Sequence, residues 1–282
     1  MYQCWIENEY GERLELTNNK DYTVYQIDGL NPPDAIINTT PVANFDGSRF
    51  NSSRTNERNI VIYLTIEGDC ETNRINLYRY VRTKRYVKFY YKNSARDVYA
   101  EGYVENMQIA IFGMKQSVQI SILCPQPFFK AVDTSIVDFS TIVPLFVFPF
   151  AYEEAGAPFS ELEINAQKSI INNGDVINGV IIKIKAAGVA LNPTIYNLTQ
   201  NQYFKLNIEM AEGDELTINT NKSHKEITLL HDGEESNAIN DMDIGSEWFQ
   251  LLSGDNIFTY GADEFPQNLT CTFIHTDEFE GV

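Results

Sequence analysis

The sequence predicts a mainly β chain with one helix and a boundary between two different halves. Three observations lead to this prediction: apolar and polar residues alternate in many short segments, one segment has helical spacing, and the charge changes sharply near residue 131. With 43% hydrophobic residues, among them 16 Tyr and 17 Phe, the 282-residue chain can bury an extensive core. Aromatic residues at this level are typical of sheets.

Strand patterns dominate the first half. In "RNIVIYLTIEGD", Ile60, Ile62, Leu64 and Ile66 alternate with Val61, Tyr63 and Thr65. The segments "YVKFYY", "VYAEGYVENMQI" and "SVQISIL" have the same two-residue period, and a turn-like "KNSARD" joins the first two. These segments predict an antiparallel sheet.

One segment of the first half has helical rather than strand spacing. In "DCETNRINLYRYVRTKR", Ile75, Tyr78 and Val81 recur every third residue with Leu77 beside them. We therefore predict a helix over about residues 71–82, with Asp69 or Thr72 as N-cap and these apolar residues against the sheet. The basic residues Arg74, Arg79, Arg82, Lys84 and Arg85 would then lie on its outer side and at its end.

The charge divides the chain into two parts. Residues 1–130 contain 15 Lys and Arg against 15 Asp and Glu, whereas residues 131–282 contain 6 against 24. The whole net charge of −18 is therefore in the second part, which repels nucleic acid and anionic membranes. We predict a domain at 1–130, a connector rich in Phe and Pro at 131–160, and a second domain at 161–282.

The second domain is a succession of short strand patterns. The segments "VINGVIIKIKAAG", "YFKLNIEMAEGDELTINT", "KEITLLHDGEE", "DNIFTYGA" and "NLTCTFIHTD" are separated by Gly, Asn and Asp turns. Strands spaced by about 10–15 residues, without a helical segment, are typical of an antiparallel sandwich.

No motif of an enzyme or cofactor site is present. The chain has no phosphate-binding glycine loop, no G-x-S-x-G and no H-E-x-x-H, and its three histidines accompany no convincing nucleophile. We therefore predict no catalytic residue, cofactor or metal, no specific nucleic acid and no membrane insertion. The four cysteines form no C-x-x-C pair and are expected to stay reduced.

Aromatic residues near the end of the chain allow a binding alternative. Trp248 and Tyr260, with Asn256 between them in sequence, could form a platform on which a saccharide ring stacks. The alternative is that these rings fill the core of the sandwich, as apolar rings usually do.

The order of these features resembles the distal tail protein family of siphovirus-type phages and prophages. The segments "GYVE" and "ISILCPQPFF" carry the resemblance over residues 1–130, and "NNGDVINGVIIKI", "GDELTINT", "GSEWFQLLSGDNIFTY" and the terminal "EGV" carry it over the second half. The resemblance implies an N-terminal β-sandwich with one helix and an extended arm, and a C-terminal galectin-like or carbohydrate-module-like sandwich. It also implies a homohexameric hub at the distal end of the tail tube, which joins the tube to the tail-tip apparatus.

This layout suggests a role for the polar stretch 46–58, which begins "DGSRFNSSRTNE". A ring requires each subunit to hold the next, and arginine offers several donors in one plane. We predict that 46–58 is an intersubunit arm in which Arg49, Arg54 and Arg58 bind acids or carbonyls of the neighbour. The alternative for this segment is a mobile surface loop.

The resemblance also implies partners and a location. Besides copies of itself, the expected partners are the tail tube protein, the tail-tip hub or tail-associated lysin, and the tape-measure or receptor-binding proteins. The expected location is the virion tail tip, after assembly in the cytoplasm of the bacterial host. The alternative function is a carbohydrate-binding module for host cell-wall saccharide, and a glycan-cleaving enzyme on the same sandwich is a third class.

Overall fold

The chain forms two compact units. The computed structural model describes residues 2–43, 46–113, 115–139, 141–144, 160–163 and 167–282. One unit comprises Met1–Val132 together with Glu278–Val282, and the other comprises Asp133–Asp277. The last five residues thus belong to the first unit, whereas the sequence prediction kept them in the domain 161–282. Residues 140 and 145–159 of the predicted connector lie outside the described residues.

Strands make up most of both units. Those of the first unit are β1 (Gln3–Asn8), β2 (Arg13–Glu15), β3 (Tyr22–Asp28), β4 (Ala35–Pro41), β5 (Ser48–Thr55), β6 (Arg58–Ile66), β7 (Tyr86–Lys92), β8 (Asp97–Ile109), β9 (Gln116–Cys124) and β10 (Phe129–Ala131), with one helix, α1 (Cys70–Tyr80). Those of the second unit are β11 (Ser135–Asp138), β12 (Thr141–Pro144), β13 (Ser160–Glu163), β14 (Lys168–Asn172), β15 (Ile181–Ala186), β16 (Ala190–Leu191), β17 (Thr194–Asn197), β18 (Gln202–Lys205), β19 (Glu209–Met210), β20 (Glu215–Asn219), β21 (Glu226–His231), β22 (Glu234–Asn237), β23 (Gly254–Gly261) and β24 (Leu269–His275). The last strand, β25 (Glu278–Phe279), returns to the first unit. Short 3-10 turns occur at Ile239–Asp241 and Pro266–Asn268.

The first unit is built on one antiparallel sheet. Its strand order is β2-β1-β7-β8-β9-β6-β3, and β10 pairs with both β8 and β25. The alternation predicted for β6 is present: Ile60, Ile62, Leu64 and Ile66 are at most 1% exposed. These side chains form the core with the inward residues of β7 and β9.

Helix α1 packs on this core by a different side from the one predicted. Asp69 is its N-cap and accepts a hydrogen bond from the Thr72 backbone N–H. Asp69 was one of the two residues predicted as N-cap. The residues that are buried are Leu77 and Val81, four apart, whereas Ile75 and Tyr78 are 58% and 40% exposed. The predicted buried face was therefore wrong for Ile75 and Tyr78, because a spacing of four rather than three faces the sheet.

In the second unit two larger sheets enclose one core, and β12 with β13 and β16 with β19 form two small two-stranded sheets. A six-stranded sheet has the order β11-β24-β15-β20-β21-β22, and a four-stranded sheet has the order β14-β23-β17-β18. Inward residues of both sheets meet in the core, where Phe258 of β23 lies 5.0 Å from Phe273 of β24, between ring centroids. The mainly β class with a single α-helix among the described residues is confirmed.

Candidate functional site

A two-stranded hairpin is the most exposed regular element of the first unit. Strands β4 and β5 pair antiparallel from Ala35↔Thr55 to Pro41↔Ser48, and they pair with no other described strand. β5 covers residues 48–55 of the stretch 46–58 that was predicted as an arm, so this part of the stretch is a strand. We call the hairpin strands β4 and β5 the arm.

The arm buries almost none of its side chains. Every residue of β5 is exposed, and in β4 only Ile36 is partly covered. Ile37 and Phe50 are apolar, yet they are 63% and 60% exposed. An isolated two-stranded hairpin is at best marginally stable in water, so this arrangement favours a partner that covers the arm.

Arg49 and Arg54 lie on β5 and have cross-strand neighbours that cannot balance their charge. Arg49 is opposite Thr40, and Arg54 is opposite Ile36. Neither strand contains an acidic residue. Within the described part of the chain, neither guanidinium makes a hydrogen bond or an ion pair, so both are available to another molecule.

Arg58 differs from the other two arginines, and the prediction that it reaches a neighbouring subunit was wrong. It is the first residue of β6, is 3% exposed and points into the unit with Ile60 and Ile62. Its guanidinium donates hydrogen bonds to four backbone carbonyls: Nε to Pro127 (2.5 Å), Nη1 to Gly29 and to Asn31 (2.8 Å), and Nη2 to Glu280 (2.5 Å). The guanidinium carbon also lies 4.3 Å from the centre of the Phe129 ring. Burial lowers the pKa of Arg58 from its ordinary value, since desolvation disfavours the charged form.

The carbonyls bound by Arg58 belong to the base of the arm and to the end of the chain. We call residues 29–34 and 56–58 the arm root. The Asn56 N–H donates to the Asp34 carbonyl at 3.2 Å and closes the hairpin at this end. Gly29 has a φ of +84°, and a Cβ there would lie 2.1 Å from the Asn59 carbonyl oxygen. Glycine is therefore required where the chain leaves β3.

The last five residues, 278–282, which we call the tail, lie along the arm root. β25 pairs with β10, the Val282 N–H donates to the Leu30 carbonyl at 3.1 Å, and Arg96 donates to the Gly281 carbonyl. The Arg96 guanidinium carbon lies 4.3 Å from the centre of the Phe279 ring. The tail is thus held from both sides within the first unit.

The predicted saccharide platform does not form. Asn256 is 0% exposed, its side-chain amide donates to the Leu252 and Gly254 carbonyls, and its Oδ1 accepts from the Leu252 N–H. Tyr260 is 2% exposed and donates to the Leu269 carbonyl at 3.0 Å, and burial raises its pKa. Trp248 is the only one of the three with appreciable exposure, and it packs edge-on against Phe204. Asn256 and Tyr260 share the inward face of β23 with Phe258, so they serve the core.

A cleft of about 420 Å³ lies beside α1. It is lined by Tyr10, Glu12, Asn76, Arg79, Tyr80 and Arg82. Arg79 and Arg82 are exposed, and no hydrogen bond or ion pair to another described residue engages either guanidinium.

Among the residues that the structure describes, no three His, Cys, Asp or Glu side chains form a metal-binding group, and no helix is long and apolar enough to cross a bilayer.

Comparison with known proteins finds a family model that is similar to most of the second unit. Residues 173–277 match the family model described as siphovirus-type tail component, C-terminal domain. The resemblance predicted from the sequence is confirmed. No curated protein sequence matches the chain.

Solved structures extend the likeness to the whole chain. The crystal structure of the SPP1 Dit protein, described as a hub of the adsorption apparatus in phages that infect Gram-positive bacteria, covers 99% of both chains with a TM-score of 0.70 and 12% identity. Chains of the phage p2 baseplate in its activated conformation, with Ca or with Sr, cover 100% of both chains with TM-scores of 0.56 and 0.57 and 12% identity. At this identity the likeness establishes a shared fold along the full length of the chain.

Proposed function

We propose that this protein is a structural subunit of a phage tail, acting by assembly and not by catalysis. It forms a homohexameric ring at the distal end of the tail tube and joins the tube to the tail-tip apparatus. The observation that carries the proposal is the full-length likeness to the SPP1 Dit hub, together with the family match of residues 173–277.

The arm provides the contact that closes the ring. A closed ring of identical subunits uses a heterologous interface, in which one patch of each subunit holds a different patch of the next. The arm has the chemistry for such a contact: Ile37 and Phe50 are exposed apolar side chains, and Arg49 and Arg54 are exposed cations without a partner in the described part of their own chain. Arg49 and Arg54 bind acids or carbonyls of the neighbouring subunit.

The remaining partners follow from the position of such a hub. One face of the ring meets the tail tube protein. The other meets the tail-tip hub or tail-associated lysin, with the tape-measure and receptor-binding proteins as further contacts. The protein is assembled in the cytoplasm of the bacterial host and is located at the tail tip of the virion.

The acidic second part supports the same arrangement. Residues 131–282 contain 24 acidic residues against 6 basic ones, while residues 1–130 are balanced. Six such domains placed outside a ring repel one another and keep the assembly soluble, whereas the balanced first units pack closely.

The test is the mass of the protein in solution, measured by light scattering and native mass spectrometry. We expect the wild type to have about six times the subunit mass of 32.2 kDa. Reversing the arm's charge with Arg49→Glu and Arg54→Glu should raise the subunit concentration for half-assembly at least about tenfold.

A matched control is the pair Lys20→Glu and Lys222→Glu, which changes the charge equally at exposed positions off the arm. We expect this variant to assemble as the wild type does. If the arm variant also assembles unchanged, the role of the arm is wrong while the hub proposal stands. A wild type that remains a monomer at every concentration and joins no tail contradicts the hub itself.

A further inference from the structure

Arg58 is a buried cation with no carboxylate among its described contacts. Its charge is balanced by the dipoles of four carbonyls and by the face of the Phe129 ring. A buried charge is costly unless its hydrogen-bonding groups are satisfied, and a planar guanidinium can satisfy several acceptors at fixed angles. Its position is therefore set by all four carbonyls together.

The four carbonyls come from three separate segments. Gly29 and Asn31 precede β4, Pro127 lies between β9 and β10, and Glu280 is in the tail. Arg58 itself follows β5 by three residues. One side chain thus joins the two ends of the arm root to each other and to the end of the chain.

The tail strengthens the same junction. Val282 bonds to the Leu30 carbonyl, and a Cβ on Gly281 would lie 3.1 Å from the Pro32 ring and 3.2 Å from the Leu30 carbonyl oxygen. Such close approach means that the tail and residues 30–32 cannot move independently. The arm beyond them has almost no contact of its own to fix its direction, because its side chains are exposed.

We propose that Arg58 and the tail position the arm: they fix the direction in which it leaves the first unit. The arm of each subunit is thereby aimed before assembly, which lowers the entropy that ring closure must overcome. The effect on ring closure rests on the proposed function. The direction of the arm is a property of a single subunit and is tested in a single subunit.

The experiment measures the distance distribution between spin labels on the arm and on the body of the unit. Labels are attached at Ser53→Cys on β5 and Ser94→Cys in the turn before β8, both exposed, in a Cys70→Ser background because the other three cysteines are buried. Labelled chains are diluted with unlabelled ones so that only distances within one subunit are recorded. In Arg58→Lys, which keeps the charge but loses the planar donors, we expect a distribution about twofold broader than in the wild type. A chain ending at Asp277 should broaden it similarly.

The control is Leu77→Ala, which removes a 0% exposed core side chain of α1. It lowers stability without touching the arm root, so the distribution should keep its wild-type width. The proposal is overturned if Arg58→Lys leaves the width unchanged, or if Leu77→Ala broadens it equally. If the distance distribution of the truncated chain keeps its wild-type width, the tail does not position the arm. A wild type with a narrow distribution that forms no ring contradicts the proposed function but not the aiming of the arm.

Discussion

Three arginines within ten positions of the sequence, Arg49, Arg54 and Arg58, differ in exposure and in hydrogen bonding. Arg58 is 3% exposed and donates to four carbonyls, whereas Arg49 and Arg54 are exposed and bond to no other described residue. The difference follows from strand register, because Arg58 has the same parity as the buried residues of β6 while the arm has no buried face. The root of the arm is therefore held by hydrogen bonds within the first unit, whereas the side chains of its outer part are exposed.

The largest effect should come from removing the buried guanidinium. Arg58→Ala leaves four carbonyls without their donor, and we expect the free energy of unfolding of the first unit to fall by about 3–5 kcal/mol. Urea unfolding followed by the fluorescence of Trp5 in a Trp248→Phe background reports this unit alone, since the chain has two tryptophans. Arg49→Ala is the matched control, with a change within about 0.5 kcal/mol. Equal losses in the two variants would contradict the contrast between root and outer part.

A smaller loss should follow from crowding the root. Gly29→Ala places a Cβ 2.1 Å from the Asn59 carbonyl oxygen at a φ of +84°, and we expect a loss of about 2–4 kcal/mol in the same assay. Gly11→Ala is a close control, because Gly11 has a φ of +77° but no atom within 4 Å of the added Cβ. Its loss should be only about 1 kcal/mol. If the two alanine variants are equally stable, the root is not closely packed at Gly29.

The smallest effect on stability is expected on the arm itself. Ile37→Ser combined with Phe50→Ser removes two exposed apolar side chains, so the free energy of unfolding of the isolated subunit should change by less than about 0.5 kcal/mol. Assembly, measured by native mass spectrometry, should nevertheless weaken at least about tenfold because the contact loses apolar area.

A second apolar pair provides the comparison for this variant. Ile244 and Phe265 in the second unit are 102% and 48% exposed, and replacing both with Ser should leave assembly unchanged. If the Ile244 and Phe265 variant weakens assembly and the arm variant does not, the subunit contact lies in the second unit and not on the arm.

Local patterns predicted the elements, while the failures concern the direction of individual side chains and the contacts between distant segments. Alternation located β6, and Asp69 with the apolar residues after it located α1 to within two residues at each end. The same alternation could have identified Arg58 as inward, because it precedes Ile60 by two positions, and Asn256 as inward, because it precedes Phe258 by two. The polar composition of 46–58 concealed the pairing of β5 with β4.

The return of the tail could not be deduced from the sequence. β25 has two residues, and its partner β10 lies about 150 positions earlier, so no local periodicity can reveal the pair. Arg58 reaches Glu280 across a sequence separation of 222. Such a contact depends on the complete fold, and the terminal "EGV" indicated family likeness but not a position.

The pairing of β10 with β25 has a consequence for how the second unit is attached. Residues 133–277 leave from one of these strands and come back to the other, and Lys130 lies opposite Glu278 in the ladder. Adjacent strands are about 4.8 Å apart, so residues 133–277 form an insertion, or cassette, between two neighbouring points of the first unit's sheet. Tension on the cassette would be divided between two covalent links, and a foreign domain whose ends lie equally close together could replace it without cutting the sheet.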